Sequence, residues 1–427
     1  MNYSELSQRR QRVIGPAYRL FYQRPLHLVR GEGVWLYGDD GKKYLDCYNT
    51  VASVGHCHPR VVEAISKQAA QLNTHTRYLH ENVVRYAERL TATLPEKLSV
   101  CMFTCTGTEA NDLALRIART VTGNSGVIVL EDAYHGNSNS VFDLSTEDYP
   151  AAEKPAHIAT VEAPDGFRGR YRGDSPDTGI AYGAMIGAAA ERLAGCGHPP
   201  AMFIADNIFS SSGVLTPPPE YLREAYRQVR AAGGLAVADE VQSGLWRLGD
   251  SAWAFESAGV VPDIVTMGKP LGAGHPVAAV VTTREIAGKF ADKYHYFNTF
   301  GGNPVSAAAG MAVLDVIREE DIPGNVRSTG EYLEQGLQSL QSRFAQVADI
   351  RGRGLFYGID LVKDGKDLTP AGADAQRLRE HLRDNGVLLG TTGPHGNVVK
   401  IRPPMVFNRR HADILLDKLE KGLQWLY

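Results

Sequence analysis

The chain lacks what would take a protein to a membrane or a nucleic acid. No apolar run among its 427 residues approaches the roughly 20 residues that a bilayer-spanning helix needs. Met1-Asn2-Tyr3-Ser4-Glu5 lacks the basic-then-apolar layout of a secretory leader. A formal net charge of −3, with acidic and basic residues interspersed and no basic tail or stripe, offers no grip on a phosphate backbone or an anionic lipid surface. Five cysteines, Cys47, Cys57, Cys101, Cys105 and Cys196, form an odd set without paired spacing. That argues against a disulfide framework and predicts a reducing, cytoplasmic setting. His56-Cys57-His58 has no further ligands at zinc spacing, so it reads as a hydrogen-bonding turn and no metal is expected. Repeats and low-complexity tracts are missing too, as is the Walker glycine-lysine pattern of a triphosphate site.

What the chain has is length, too much for one minimal core, and an alternation of short apolar runs with helical patterns. Trp35-Leu36-Tyr37 and Tyr44-Leu45-Asp46 flank an Asp-Gly turn and predict a hairpin. From about residue 60, strands are expected at 100–103, 127–130, 202–205, 235–238, 264–267 and 277–281, separated by helices. Such an order implies a mostly parallel sheet covered on both faces. After Asn303-Pro304 the pattern changes to helices at 306–318 and 326–344, a strand at 355–360, a helix at 373–383, short strands near Val387 and Val398, and a last helix from Arg409. This describes a second, smaller α+β unit joined by the N-terminal hairpin.

Chemistry concentrates at two strand ends. Asp239 closes the run Leu235-Ala236-Val237-Ala238, and Lys269 follows Ile264-Val265-Thr266-Met267-Gly268 into a turn bounded by glycine and proline. In an open α/β sheet ligands bind beyond the carboxyl ends of the strands, so one carboxylate and one amine aim at a single crevice. Burial there lowers a lysine's pKa and makes it a nucleophile. Pyridoxal phosphate needs this pairing, an amine for the Schiff base and a carboxylate that keeps the pyridine nitrogen protonated. Thr106-Gly107-Thr108-Glu109-Ala110-Asn111 fits a capping box opening a helix with one apolar face. Alone it is a well-capped helix, but Gly107 bares backbone amides at a helix N-terminus, which favours a phosphate dianion.

Taken in order, Thr106 to Asn111, Tyr134-His135-Gly136, Asp239-Glu240-Val241-Gln242-Ser243-Gly244, Gly268-Lys269-Pro270 and Asn298-Thr299-Phe300-Gly301-Gly302 resemble the class III aminotransferase family of pyridoxal phosphate enzymes, along nearly the whole chain. The resemblance implies the α/β type I pyridoxal phosphate fold: a large, mostly parallel seven-stranded sheet domain with helices on both faces, and a smaller α+β domain from both chain ends. On this chain that gives an N-terminal segment (1–59) joining the small domain, a large cofactor domain (60–305) and a small C-terminal domain (306–427). It implies that Lys269 carries the cofactor, Asp239 pairs with the pyridine nitrogen, Tyr134 stacks on one ring face and Val241 on the other. Gln242 is to approach the ring hydroxyl, Gly107 and Thr108 to hold the phosphate, and Thr299 to complete that site from the neighbouring subunit of a homodimer.

Within the family the likeness is to phospholyases acting on phosphoethanolamine and phosphohydroxylysine, carried by residues 51–59, 72–80, 262–276 and 400–405. Many family members carry Glu-Pro-x-x-Gly-Glu-x-Gly, whose second glutamate serves a substrate-binding arginine. Here Asp206-Asn207-Ile208-Phe209-Ser210-Ser211-Ser212-Gly213 stands in its place, with Ser211 where that glutamate falls. The expectation is elimination of phosphate from O-phosphoethanolamine to give acetaldehyde, ammonia and phosphate, with Lys269 as base. A second anion pocket is then needed, and Arg77 and Arg402, with Tyr18, are its candidates. The alternatives are an ω-amine:2-oxo acid aminotransferase, a phospholyase acting on 5-phosphohydroxylysine, and a non-catalytic cofactor-binding module.

Overall fold

The structure, a computed structural model, describes residues 3–147 and 154–427. Met1 and Asn2, the start of the N-terminus read above, lie outside these. Near the N-terminus β1 (Leu28–Glu32), β2 (Trp35–Gly38) and β3 (Lys43–Asp46) form the expected antiparallel hairpin and its extension. The central sheet has seven strands: β4 (Val100–Thr104), β5 (Gly126–Leu130), β6 (Ile158–Val161), β7 (Pro200–Asp206), β8 (Leu235–Asp239), β9 (Ile264–Met267) and β10 (Ala278–Thr282). Their order is β4-β10-β9-β8-β7-β5-β6, with only β10 antiparallel to its neighbours.

Side-chain parity along these strands builds the layers. Val127, Val129, Met202 and Ile204 pack on one face against Leu113, Ala114 and Ile117 of the helix Gly107–Thr122. Ile128, Leu130, Phe203 and Ala205 turn to the other face, under Tyr182, Ile186 and Tyr226 of the helices Pro176–Gly195 and Glu220–Ala231. Strands covered on both faces read as continuous apolar runs, which is why they stand out in the sequence.

The C-terminal part adds β11 (Val347–Arg353), β12 (Phe356–Leu361), β13 (Val387–Leu388), β14 (Gly390–Thr392) and β15 (Val398–Ile401). Four of them form the sheet β11-β12-β15-β14, while β13 leaves it to pair in parallel with β3. The two chain ends therefore share one sheet. Four strands have no counterpart in the sequence reading, the exposed edge strand β1 among them. β6 is only four residues, β11 (Val-Ala-Asp-Ile-Arg-Gly-Arg) is an edge strand with a charged, half-buried pattern, and β14 is Gly-Thr-Thr. None shows the apolar period of a buried strand. Among the described residues, no helix is long and apolar enough to cross a membrane.

Candidate active site

Asp239 ends β8 opposite Thr266 of β9, and Lys269 lies two residues beyond the end of β9, so adjacent parallel strands deliver both groups to one end of the sheet. They line a cleft of about 370 Å³ together with Gly107, Thr108, Asn111, Tyr134, His135, Asp206, Val241 and Gln242. The crevice inferred from the strand ends is present.

Asp239 is 4% exposed and fully engaged. Its Oδ2 accepts from Asn111 Nδ2 at 2.8 Å and lies 2.7 Å from His135 Nδ1, while Oδ1 accepts the Val241 amide at 3.1 Å. Those contacts fix the carboxylate's direction, so its remaining lone pairs face the cleft. Behind it Glu240 is buried and accepts from Asn207, Ser243 and the amides of Ala254 and Phe255, which pins the turn carrying Val241 and Gln242. Burial raises the Glu240 carboxyl to about 7.

The Lys269 amine makes no hydrogen bond or ion pair among the described residues. Burial holds its pKa below the usual lysine value, and the Arg402 charge lowers it further against the opposing pull of Asp239 and Asp206. A lowered pKa and the lack of a partner both favour the free amine that a nucleophile or base requires.

The helix Gly107–Thr122 opens with the complete capping box, Thr106 to the Glu109 amide and Glu109 back to the Thr106 amide. The cap leaves the amides of Gly107 and Thr108 without a protein acceptor at the positive end of the helix. Close packing keeps them reachable. A Cβ at Gly107 would sit 2.9 Å from both Val241 methyls, and Gly136, at φ +141, lies 2.7 Å from Thr108 Oγ1 by the same measure. Free amides at one end, a directed carboxylate at the other, and a lysine and the Tyr134 ring between them fit a phosphorylated pyridine aldehyde.

Behind Gln242, outside the residues that line the cleft itself, stand groups from both chain ends. Arg402, just past β15, is 7% exposed and has no carboxylate partner; it donates to Gln242 Oε1 and stands 4.6 Å from the Tyr48 ring. Gln242 in turn donates to Ser210 Oγ at 2.9 Å. The segment 206–213 folds on itself, Asp206 accepting the amides of Ile208 and Ser210, and Ser211 does not line the cleft. Two more buried cations stand behind. Arg247 donates to the Pro403 carbonyl, and burial, aided by Arg402, lowers it to about 9. Lys400 donates to Ser210 O at 3.0 Å and Thr392 Oγ1 at 3.2 Å, and burial, again aided by Arg402, lowers it to about 7.

Three of the residues singled out from the sequence lie elsewhere in the single chain. Arg77 is exposed, its guanidinium 3.9 Å from the Phe297 ring, on the same edge as the exposed Thr299. Tyr18 is 74% exposed on the N-terminal segment, its carbonyl accepting from Arg10. The sequence reading gave no role to Asn111, His135, Arg247, Lys400 or Tyr48. Asn111 carried a signal, a polar residue one turn into the helix on its buried side.

The family model for class III aminotransferases (Aminotransferase class-III) matches residues 21–423. The chain is 43% identical to the Drosophila melanogaster protein named alanine–glyoxylate aminotransferase 2-like, over 97% of this chain and 85% of that one. With the Caenorhabditis elegans ethanolamine-phosphate phospho-lyase homolog 1 the identity is 39%, over 95% and 90%. Among solved structures, a phospholyase from Arthrobacter in complex with phosphoethanolamine superposes with a TM-score of 0.94 at 45% identity, covering 98% of this chain and 99% of that one.

Proposed function

Because the chain belongs to the class III aminotransferase family, whose enzymes use pyridoxal phosphate, we propose that it is a phospho-lyase that eliminates phosphate from O-phosphoethanolamine. The observation that carries this reading is Arg402, a buried guanidinium beside the cleft that forms no ion pair among the described residues. The segment 206–213, where many relatives place an arginine-binding glutamate, has Ser211 there instead, folded away from the cleft. A permanently available cation suits a substrate that always brings a phosphate. The phospholyase that this chain resembles, bound to phosphoethanolamine, supports the same substrate class.

The cofactor supplies an electron sink for charge developing on the substrate carbon. Asp239, held by Asn111, His135 and the Val241 amide, would be the group that pairs with the cofactor's ring nitrogen. Gly107 and Thr108 hold its phosphate by their free amides, Tyr134 and Val241 bracket its ring, and Gln242 faces its hydroxyl. Lys269 would hold the cofactor and, when not engaged with it, its Nζ, with a pKa lowered by burial, would serve as the base for the proton on the carbon bearing nitrogen. Arg402 holds the substrate phosphate and compensates its charge as the adjacent C–O bond breaks. One water then completes the balance, giving acetaldehyde, ammonia and phosphate.

Thr299 and Arg77 act from the neighbouring subunit of a homodimer. They share the Phe297 edge, so a second copy that brings Thr299 to the cofactor phosphate brings Arg77 with it. Tyr18 enters from the N-terminal segment. Incubation with O-phosphoethanolamine alone, with phosphate and acetaldehyde measured together, should give both in equal amounts, and Lys269→Ala should give neither. Release of neither by the unaltered enzyme would exclude the reading. Transamination between an ω-amine and a 2-oxo acid is the second reading, favoured by the relative named as an aminotransferase. It requires turnover to stop without an oxo acid. 5-Phosphohydroxylysine in place of phosphoethanolamine settles which phosphorylated amine is preferred.

A further inference from the structure

We propose that Tyr48, seated on the bare backbone of Gly390 and flanked by Phe21, is a positioning residue that sets the direction of the Arg402 guanidinium. The inference rests on the reading that Arg402 receives the substrate phosphate. Arg402 has few restraints for so buried a cation. Gln242 Oε1 takes one Nη1 proton, the Tyr48 ring stands 4.6 Å from its central carbon, and Nε has no partner. A guanidinium presents its donors in a rigid plane, so a lateral contact with a ring decides where the unclaimed N–H groups point.

Tyr48 is itself fixed from several sides. Its amide donates to Asp46 Oδ1 at 3.0 Å, and Asp46 is locked in turn by His56 Nε2 at 2.7 Å. Its ring lies 4.7 Å from that of Phe21, at 34°. Its remaining support is Gly390. A Cβ there would stand 2.8 Å from Cε2 and 2.9 Å from Cδ2 of Tyr48. Gly390 is not among the residues with positive φ, so its backbone conformation is open to any amino acid. The glycine is needed for space alone, and the occupant of that space is the ring beside Arg402. The connection is tight along the backbone too, since Gly390 of β14 pairs with Lys400 of β15, two residues before Arg402. A methyl at position 390 must therefore move the Tyr48 ring by several tenths of an ångström, and the guanidinium with it.

The experiment compares Gly390→Ala, Tyr48→Leu, Tyr48→Phe, the double variant Gly390→Ala with Tyr48→Leu, and Arg402→Gln, each as cofactor-loaded enzyme. The readouts are KM and kcat for phosphoethanolamine, the inhibition constant of inorganic phosphate, and the visible absorbance of the bound cofactor. Gly390→Ala and Tyr48→Leu should each raise KM and the phosphate inhibition constant together by about tenfold, the scale of a misplaced positioning group, with the cofactor spectrum unchanged. Tyr48→Phe keeps the ring but removes the hydroxyl that supports the Arg402 charge, so it should raise KM less than Tyr48→Leu does. The double variant should be no worse than Tyr48→Leu, because with the ring gone the added methyl keeps only an ordinary 3.5 Å contact with Phe21, and that non-additivity is the mark of a shared contact. A merely structural role would lower kcat and thermal stability and leave the phosphate constant alone. If Arg402→Gln raises KM while Gly390→Ala and Tyr48→Leu leave it unchanged, the positioning role is overturned and the function stands. If Arg402→Gln leaves KM unchanged, the underlying reading of the phosphate site falls.

Discussion

Replacing Arg402 by Met should make this protein more stable and nearly inactive. The guanidinium is 7% exposed, its Nε is unpartnered, and no carboxylate pairs with it. An effective desolvation penalty of several kcal/mol is set against one charge-assisted hydrogen bond, worth about 1.5–3 kcal/mol, and one ring contact worth about 0.5–2 kcal/mol. Methionine fills similar volume without the charge, and Gln242, part-exposed in the cleft, can turn its freed oxygen to water. The net gain is about 1–3 kcal/mol, the range in which apolar replacements of buried charges fall. For a chain of this size that is a rise of about 1–3 °C in the unfolding midpoint. The comparison needs saturating cofactor, no phosphate in the buffer and one scan rate, because bound ligands and irreversibility move the midpoint on their own. A second arm then adds inorganic phosphate. At 100 times its dissociation constant it should stabilise the unaltered enzyme by about 2.7 kcal/mol and the variant not at all. A midpoint that drops by several degrees would show that Arg402 is a structural cation satisfied by its surroundings, and an unchanged KM for phosphoethanolamine would remove it from the substrate site.

Lys400, whose folded pKa of about 7 lies below the ordinary lysine value of 10.5, binds more protons unfolded than folded between those values. Its penalty is therefore full below about pH 7 and disappears as pH rises towards 10.5, so stability climbs across that window; Lys400→Met should flatten the climb in denaturant titrations from pH 7 to 10. Gly107→Ala places a methyl 2.9 Å from both Val241 methyls, and at about 1–3 kcal/mol for such overpacking should weaken cofactor binding roughly 5- to 100-fold, read from absorbance during dialysis. Mixed dimers of Lys269→Ala and Arg77→Ala subunits test action across the interface. If Arg77 serves its partner, random pairing restores about a quarter of the activity through one intact site per mixed dimer, whereas action within one subunit restores none.

The parts of the site that the sequence disclosed are those that local rules determine. Asp239 and Lys269 end apolar strands buried on both faces, and Thr106 to Glu109 is a cap with a fixed spacing, so each announces itself within a few residues. Tyr48, Gly390 and Arg247 gave no such notice, because their partners lie hundreds of residues away and no periodicity reports a long-range pairing. Lys400 is an intermediate case. Along Val399-Lys400-Ile401-Arg402 the alternation places two cations on one side of a strand, a period-2 pattern that hints at a shared destination without saying what lies there. The edge strands β6, β11 and β14 escaped for the opposite reason, since a strand that is short or half exposed has no apolar run to show. Arg77 and Thr299, proposed to act across a subunit interface, illustrate a further limit, since in the single chain they are exposed like many other side chains.

The pairing of β3 with β13 has a consequence in time as well as in space. Leu45 meets Val387 across that sheet, so the chain's first hairpin waits for a strand that is synthesised almost last. At about 5–20 residues per second the ribosome needs tens of seconds to cover that distance. During this interval the central sheet can form, with Asp239 and Lys269 in position, while Tyr48 and Arg402 are still apart. A nascent chain could thus bring Asp239 and Lys269 together before Arg402, the proposed phosphate-binding group, reaches its place.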